Sequence, residues 1–456
     1  MNDRSAQAGA EIGPAMATLS TYMAAVPANR LPDEVTEKAK HHLLDTLGAM
    51  VSGAVLKPGR LAIAYVRDQG GKPEACVPGS DVITSAVNAA LAGGMAAHAD
   101  ETDDSHPESF SHPGCGVVPA ALAMAERGGL SGTEFLCAVV FGYDLAARST
   151  MAIGPDILYH QNHRSSHSVA ALFGAAGAAA VLARLTADQC RWALSYTAQQ
   201  ASGIACWARD EEHIEKAFDF GGMGARNGVA AATMVQAGFT GVDDVFSGPR
   251  GFFEAFGGTP EILVGGLGAN FEVTNTHIKR WSVGSPIQAP LNSLEVLMAE
   301  HGLKPDDVAH MEVRICEAEA HVTDNRNMPD ICVQHCLAVM LIDGEVSFVS
   351  SHDYARMSDP AVLAIRERIE LVSDAELPRR QGIVTVTTAA GAEHTRHTPH
   401  VRGTANNPMS RNEVDAKVAD LMAPVLGEAQ TRKLIDRIWD IEAVGNVREL
   451  RPLLTV

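Results

Sequence analysis

Through the first half of the chain, apolar residues recur at helical spacing and polar residues fill the faces between them. Pro32 and Asp33 open one such segment, LPDEVTEKAKHHLLDTLGAMVSGA, with acidic residues in its first turn, where they complement the helix dipole. The same spacing predicts helices over 80–97, 117–127, 131–151, 168–185, 186–200 and 222–238, the last ended by Gly238. Ser131-Gly-Thr-Glu134 and Thr186-Ala-Asp-Gln189 have the form of capping boxes. After about residue 270 the period changes. HMEVRICEAEAHV alternates like a strand, and GIVTVTTAAGAEHT reads as half-exposed sheet with a turn near Ala390-Gly391. Residues 285–301 read as a helix ahead of the first strand, and 331–341 as a helix between the two. Beyond Asn406-Asn407-Pro408, SRNEVDAKVADLMAPVLG and QTRKLIDRIWDIE close the chain as helices. The expected fold is mostly α: a large all-helical domain, 1–275 plus 404–456, with a smaller α+β domain inserted at 276–403.

Composition fits that picture. A chain of 456 residues is long enough for two or three domains. Aromatics make up only 5 %, while Ala and Gly abound, which suits helices packed through small side chains. The most apolar run, SVAALFGAAGAAAVL (168–182), is too short and too rich in Ala and Gly to span a bilayer, so it reads as a buried helix. A net charge of −19 argues against nucleic acid or an anionic membrane as the main partner. It also means that an anionic ligand needs a local cationic pocket. The opening MNDRSAQAGAEIGPAM lacks a basic head followed by an apolar core, so no signal peptide is expected and the cytoplasm is the default compartment. Eight cysteines without a CxxC pair or zinc-like spacing read as buried thiols.

One stretch stands apart from this packing logic. HADETDDSHPESFSHPG (98–114) sets Asp100, Glu101, Asp103, Asp104 and Glu108 among His98, His106 and His112. So many ionisable groups are tolerable where they are solvated, hold a cation or set one another's pKa. Ala-rich segments on both sides make it a polar loop between two buried helices.

Set beside this loop, the segments LLDTLGAMVSG, VVPAALAMAE, FGYDLAAR, FGAAGAAAVL, GARNGVAAA, IKRW, MLIDG and NNPMS follow an order, across nearly the whole chain, that resembles the MmgE/PrpD family. The resemblance implies a helical domain with a smaller α+β domain, a homodimer, an active site between the domains, and no metal or organic cofactor. It also implies a small anionic polycarboxylate as substrate, with bonds broken or remade at the carbon beside a carboxylate. EKAFDFGGMGARNG and NMPDICVQH resemble the iminodisuccinate epimerase branch; dehydratases of 2-methylcitrate and decarboxylases of cis-aconitate are the other implied activities.

Residue by residue, the family's acidic-Asp-Asp-Thr stretch falls on Glu101, Asp103, Asp104 and Ser105, and its loop histidine on His112. Its domain-junction lysine falls on Lys279, followed by Arg280, and a second pocket lysine on Lys216. Two positions depart from the pattern. Ser165, with His163 and His167 nearby, stands where many members carry a histidine, and His335 where cis-aconitate decarboxylase has a tyrosine.

Removing a proton α to a carboxylate calls for an acceptor with a pKa near working pH and positive charge for the carbanion. Epimerisation adds a second acid/base group on the opposite face. His112 and Lys279 are therefore expected to exchange the proton, with His335 assisting. Glu101, Ser105, His106, His167, Lys216 and Arg280 are expected to bind substrate. Each has a plainer reading: His112 as a helix cap, His106 as a solvated loop residue, His335 as a core histidine, and Lys216 with His213 on a charged face. Asp103 and Asp104 fit capping or orienting histidines better than touching an anion. Two other classes compete with this reading, a metal-dependent lyase or hydrolase built on 98–112, and a non-catalytic binder of small anions. No HExxH-like spacing supports the first.

Overall fold

The computed structural model describes residues 12–26 and 30–456, so most of the N-terminal stretch read for a signal peptide lies outside the described residues. The chain divides into two compact units. The first comprises the chain up to Ala99, then Asp104–Thr276 and Met422–Val456; the second comprises Asp100–Asp103 and His277–Leu421.

In the first unit α1 (Pro14–Ala25), α2 (Asp33–Gly53) and α3 (Lys57–Gln69) precede a short hairpin of β1 (Ala75–Cys76) and β2 (Ile83–Thr84). Then follow α4 (Ala86–Ala97), α5 (Pro113–Gly128), α6 (Gly132–Ile153), α7 (Ser166–Leu182) and α8 (Ala187–Gln199). After these come the short α9 (Ile214–Ala217), α10 (Met223–Gln236) and α11 (Phe252–Phe256). Helix α7 is the buried centre, with α5, α6 and α10 packed against it. Small residues allow this approach: a Cβ on Gly116 of α5 would lie 2.7 Å from the Ala171 backbone of α7. Helix α6 is long and apolar enough to cross a membrane, but 94 % of its most apolar window is buried inside this unit, as in a core helix. Both capping boxes form, Ser131 with Glu134 at the start of α6 and Thr186 with Gln189 at the start of α8.

The second unit holds α12 (Gln288–His301), β3 (Val308–Cys316), α13 (Glu317–Thr323), α14 (Val333–Asp343), α15 (Phe348–Ser351) and α16 (Pro360–Arg366). These are followed by β4 (Ile369–Asp374), β5 (Gly382–Thr388), β6 (Glu393–Thr398) and α17 (Arg411–Leu426), the last of which ends in the first unit. Two further helices, α18 (Glu428–Trp439) and α19 (Arg451–Leu454), complete the first unit. The sheet order is β4-β3-β5-β6; β3 runs parallel to β4 and antiparallel to β5, with Val313 opposite both Leu371 and Val384. Met311, Val313, Ile315, Val384 and Val386 share a core with Leu291, Leu294 and Leu297 of α12 and Leu337 of α14.

The fold class is thus mostly helical with a small α+β unit, as the pattern predicts, while several element edges differ. The helix predicted over 80–97 starts only at Ala86, where Ser85 Oγ accepts the Asn88 N–H, because Ile83-Thr84 is already paired with Ala75-Cys76. The alternation read over 310–322 stops at Cys316, and 317–323 is helix. Strand β4 was not anticipated, and the second unit runs past residue 403 to Leu421.

Candidate active site

Asp104 organises the loop between α4 and α5 in the first unit. Its side chain is fully buried, with Oδ2 2.6 Å from the Tyr143 hydroxyl and 2.8 Å from His42 Nδ1. Its Oδ1 accepts the Gly114 N–H at 3.0 Å, at the exposed-donor end of α5. Burial lowers the His42 pKa to about 4 against the opposing pull of Asp104, so His42 is a neutral donor to that carboxylate. This triple anchor fixes the residue on which α5 begins, His112.

His112 occupies the N-cap position, yet its ring makes no capping hydrogen bond. It lies instead 5.0 Å from the His98 ring, 5.2 Å from His167 and 5.5 Å from Phe220, centroid to centroid. Phe220 is the hub of the group. His98 stacks on it at 4.3 Å and 19°, and His167 at 3.7 Å and 12°. His213 adds a fourth imidazole 5.1 Å from His98, and Trp207 meets Phe220 edge-on at 4.6 Å. Lys216 Nζ sits 5.2 Å from the Phe220 centroid and 5.8 Å from that of Trp207, within cation–π range. Phe220 belongs to a π-helical turn, Phe218–Gly222, whose wider backbone is pressed against α4; a Cβ on Gly221 would lie 2.2 Å from the Gly94 carbonyl oxygen. Such single π turns mark places where a helix re-aims side chains.

His167 and Lys216 are thereby brought together with His112, while His98, Phe220 and Trp207 were not singled out from the sequence. Only His98 carried a signal, its place in the 98–114 cluster. Of these imidazoles, His98 and His213 each offer a ring nitrogen within 4.8 Å of the other, close enough to share a borderline divalent cation.

Ser165 caps α7, accepting the Ser168 N–H at 3.3 Å, and its hydroxyl donates to Asp219 Oδ2. Burial, with Glu215 adding to it and the Ser165 hydrogen bond opposing, raises the Asp219 carboxyl to about 7. Ser166 Oγ donates to the Phe110 carbonyl at 2.6 Å, tying the loop to α7. Ser105 is buried on the same loop. His106 is buried as well, contrary to a solvated loop residue: Ser109 Oγ lies 2.9 Å from its Nδ1 and Glu272 Oε2 lies 3.3 Å from its Nε2. Glu272 also lies 3.6 Å from Arg148, whose Nη2 donates to the Asn270 carbonyl at 2.9 Å, so His106 is part of a brace.

The second unit gathers Glu101, Lys279 and the residues around them. Lys279 is buried; its Nζ donates to the Glu101 carbonyl at 2.8 Å and lies 3.6 Å from both Glu101 Oε2 and Asp103 Oδ1. Lys417 Nζ donates to the Thr102 carbonyl at 3.0 Å. His352 Nε2 lies 3.0 Å from Asp100 Oδ2. Burial disfavours a charged His352, but the hydrogen bond and charge of Asp100 prevail and raise its pKa to about 9. Three basic side chains thus hold four consecutive residues, 100–103. The adjacent Arg280 is committed elsewhere. Both of its branches donate to Glu295 at 2.6 Å, and its guanidinium lies 4.6 Å from the Trp281 centroid.

His335 lies in α14, and among the described residues no hydrogen bond reaches either of its ring nitrogens. Burial, then the charges of Arg366 and Arg356, lower its pKa to about 4, which keeps the ring neutral at ordinary pH.

Comparison with known proteins adds a second line of information. A model described as the MmgE/PrpD N-terminal domain matches residues 17–263, and the MmgE/PrpD C-terminal domain matches 281–441. The chain is 24 % identical over 464 residues to the cis-aconitate decarboxylase of Homo sapiens, covering 96 % of this chain and 94 % of that protein. It is 26 % identical over 311 residues to the cis-aconitate decarboxylase-like protein oryM of Aspergillus oryzae. That match covers 63 % of this chain and 62 % of the fungal protein, less than two thirds of its length.

Proposed function

Since the chain belongs to the MmgE/PrpD family, whose enzymes act on small carboxylic acids, we propose that it moves the proton beside a carboxylate of a small polycarboxylate. The observation that carries this reading is the gathering of His98, His112, His167 and His213 around Phe220, led by a His112 ring that is not used to cap its helix. Imidazole takes up and returns a proton near neutral pH, and ring stacking holds each ring at a set angle before substrate arrives. His112 is the proposed base. Lys279, fixed by the Glu101 carbonyl, is the group proposed to return a proton. His335, being neutral, serves to orient a polar group.

The finer reading is epimerisation of iminodisuccinate, supported by the likeness of EKAFDFGGMGARNG and NMPDICVQH to that branch. In this reading the enzyme works in the cytoplasm as a homodimer with no added cofactor. A lyase is the second reading, favoured by relatives named for cis-aconitate decarboxylation. Product analysis on a panel of C4 to C7 polycarboxylates and their amino and imino derivatives separates the two. Inverted configuration at one carbon of iminodisuccinate, with no loss of carbon dioxide or water, supports the epimerase. Release of carbon dioxide from cis-aconitate supports the lyase.

A further inference from the structure

Ahead of α9 in the first unit, the short 3-10 segment Ala205–Arg209 carries a single aromatic side chain, Trp207. The backbone on both sides of it is pinned. The Ala205 N–H donates to the His163 carbonyl at 2.9 Å, and Ile204 forms a bridge with Arg164. Asp210 ties the segment to α9: its Oδ1 accepts the Glu212 N–H at 2.9 Å, and its Oδ2 accepts the Lys216 N–H at 3.0 Å. Cys206 Sγ lies 3.1 Å from Glu215 Oε1 across the same junction. These bonds set the Trp207 ring beside the Lys216 side chain, whose Nζ is 5.8 Å from the ring centroid.

The ring borders the imidazole cluster. Its centroid is 5.5 Å from that of His167 and 4.6 Å from that of Phe220, at interplanar angles of 82° and 90°, with Tyr159 at 5.9 Å and 33°. Within this set of contacts the indole N–H of Trp207 is buried, and among the described residues no hydrogen bond reaches it. Trp192 shows the ordinary arrangement, its indole N–H donating to Asp243 Oδ1 at 3.0 Å. A buried donor without an acceptor has lost its hydration and regained nothing. Folded proteins keep that loss rare, and an acceptor from outside the chain repairs it.

We propose that Trp207 is a substrate-binding residue whose indole N–H donates to a carboxylate oxygen of the substrate, with the Lys216 ammonium meeting the charge of the same group. The indole nitrogen is a donor only, so its natural partner is an acceptor such as a carboxylate oxygen. In a chain with a net charge of −19, an unused donor beside a cation is the kind of local pocket that an anion requires. A carboxylate held there lies next to His167 and Phe220, and so beside the rings that surround His112. This inference rests on the reading of the substrate as a small polycarboxylate and names a donor that would recognise it.

Titration of the full chain with succinate, followed by calorimetry and by the NMR signals of the indole N–H groups, tests the assignment. The chain has four tryptophans, and the Trp207 signal is the one missing from Trp207→Phe. In wild-type protein that signal should move downfield as succinate saturates the site, because a carboxylate acceptor deshields the proton. Trp207→Phe keeps an aromatic ring and loses the donor. It should weaken succinate binding by about 10- to 100-fold, with a melting temperature near that of the wild type. A Trp207 signal that stays in place or moves upfield at saturating succinate overturns the assignment. So does a Trp207→Phe protein that binds succinate within about threefold of wild type. If Trp207→Phe does not fold, replacing Trp207 by its benzothienyl analogue, with sulfur in the place of the N–H, decides: weakened succinate binding supports the assignment, and unchanged binding overturns it. A wild-type chain that binds neither succinate nor citrate defeats the polycarboxylate reading itself, and this inference with it. Wild-type binding with an indifferent Trp207 defeats this inference alone.

Discussion

His352 Nε2 lies 3.0 Å from Asp100 Oδ2, and together they form a buried ion pair within the second unit. The His352 pKa of about 9 stands above its ordinary 6.5, so the pair contributes fully below pH 6.5 and loses that contribution as pH rises through 9. Asp100, held below the usual carboxylate range by His352 and Thr102 despite its burial, sets the acid limit, and its contribution is lost only as pH falls through that lowered value. The alkaline loss corresponds to about 3 kcal/mol, from 9 − 6.5 pKa units. Thermal unfolding from pH 6 to 9.5 should show this decline in the wild type and a flatter profile in His352→Gln. Parallel profiles would remove the pair from the stability of this unit.

A second pH effect has the opposite sign. His335 has its pKa lowered to about 4, first by burial and then by Arg366 and Arg356, so an unfolded chain takes a proton at this residue that the folded chain refuses. Stability should therefore fall as pH drops from 6.5 toward 4. Both ring nitrogens are buried without a hydrogen bond among the described residues, so His335→Leu should raise stability by about 1–2 kcal/mol and remove that acid sensitivity. Turnover should drop at least tenfold in the same variant if the neutral ring orients substrate. A variant both more stable and fully active would make His335 a core residue and nothing more.

Gly221→Ala probes the turn that carries Phe220. The new Cβ would stand 2.2 Å from the Gly94 carbonyl oxygen and 2.8 Å from its carbon, both backbone atoms. Either the π turn or α4 must move. The expected cost is about 1–3 kcal/mol by chemical denaturation, with activity lost out of proportion to stability because the His98–Phe220–His167 stack shifts. An active, slightly destabilised Gly221→Ala enzyme would show that the stack need not be held so closely.

Helical spacing and capping chemistry are local, so α6 and α8 could be read from Ser131, Glu134, Thr186 and Gln189. Strand β4 could not, because Ile369–Asp374 buries only its ends and has no alternation to betray it; its place beside β3 is set by a long-range parallel pairing. The 98–112 loop was legible as a concentration of charge but not as a buried one. What makes its burial tolerable lies far away in sequence: His42 and Tyr143 for Asp104, Lys279 for Asp103, and His352 for Asp100. The same distance hid the site's hub. Nothing in EKAFDF distinguishes Phe220 from a core residue until the π turn lays it between two imidazoles.

Incubation of the polycarboxylate panel in deuterated buffer, followed by mass spectrometry and proton NMR, tests the proposed chemistry most directly. Wild-type enzyme should place deuterium on the carbon beside a carboxylate of its substrate. His112→Gln should slow that exchange by at least 100-fold, with melting temperature near that of the wild type. Exchange that proceeds undiminished in folded His112→Gln would contradict the assignment of the proton to His112.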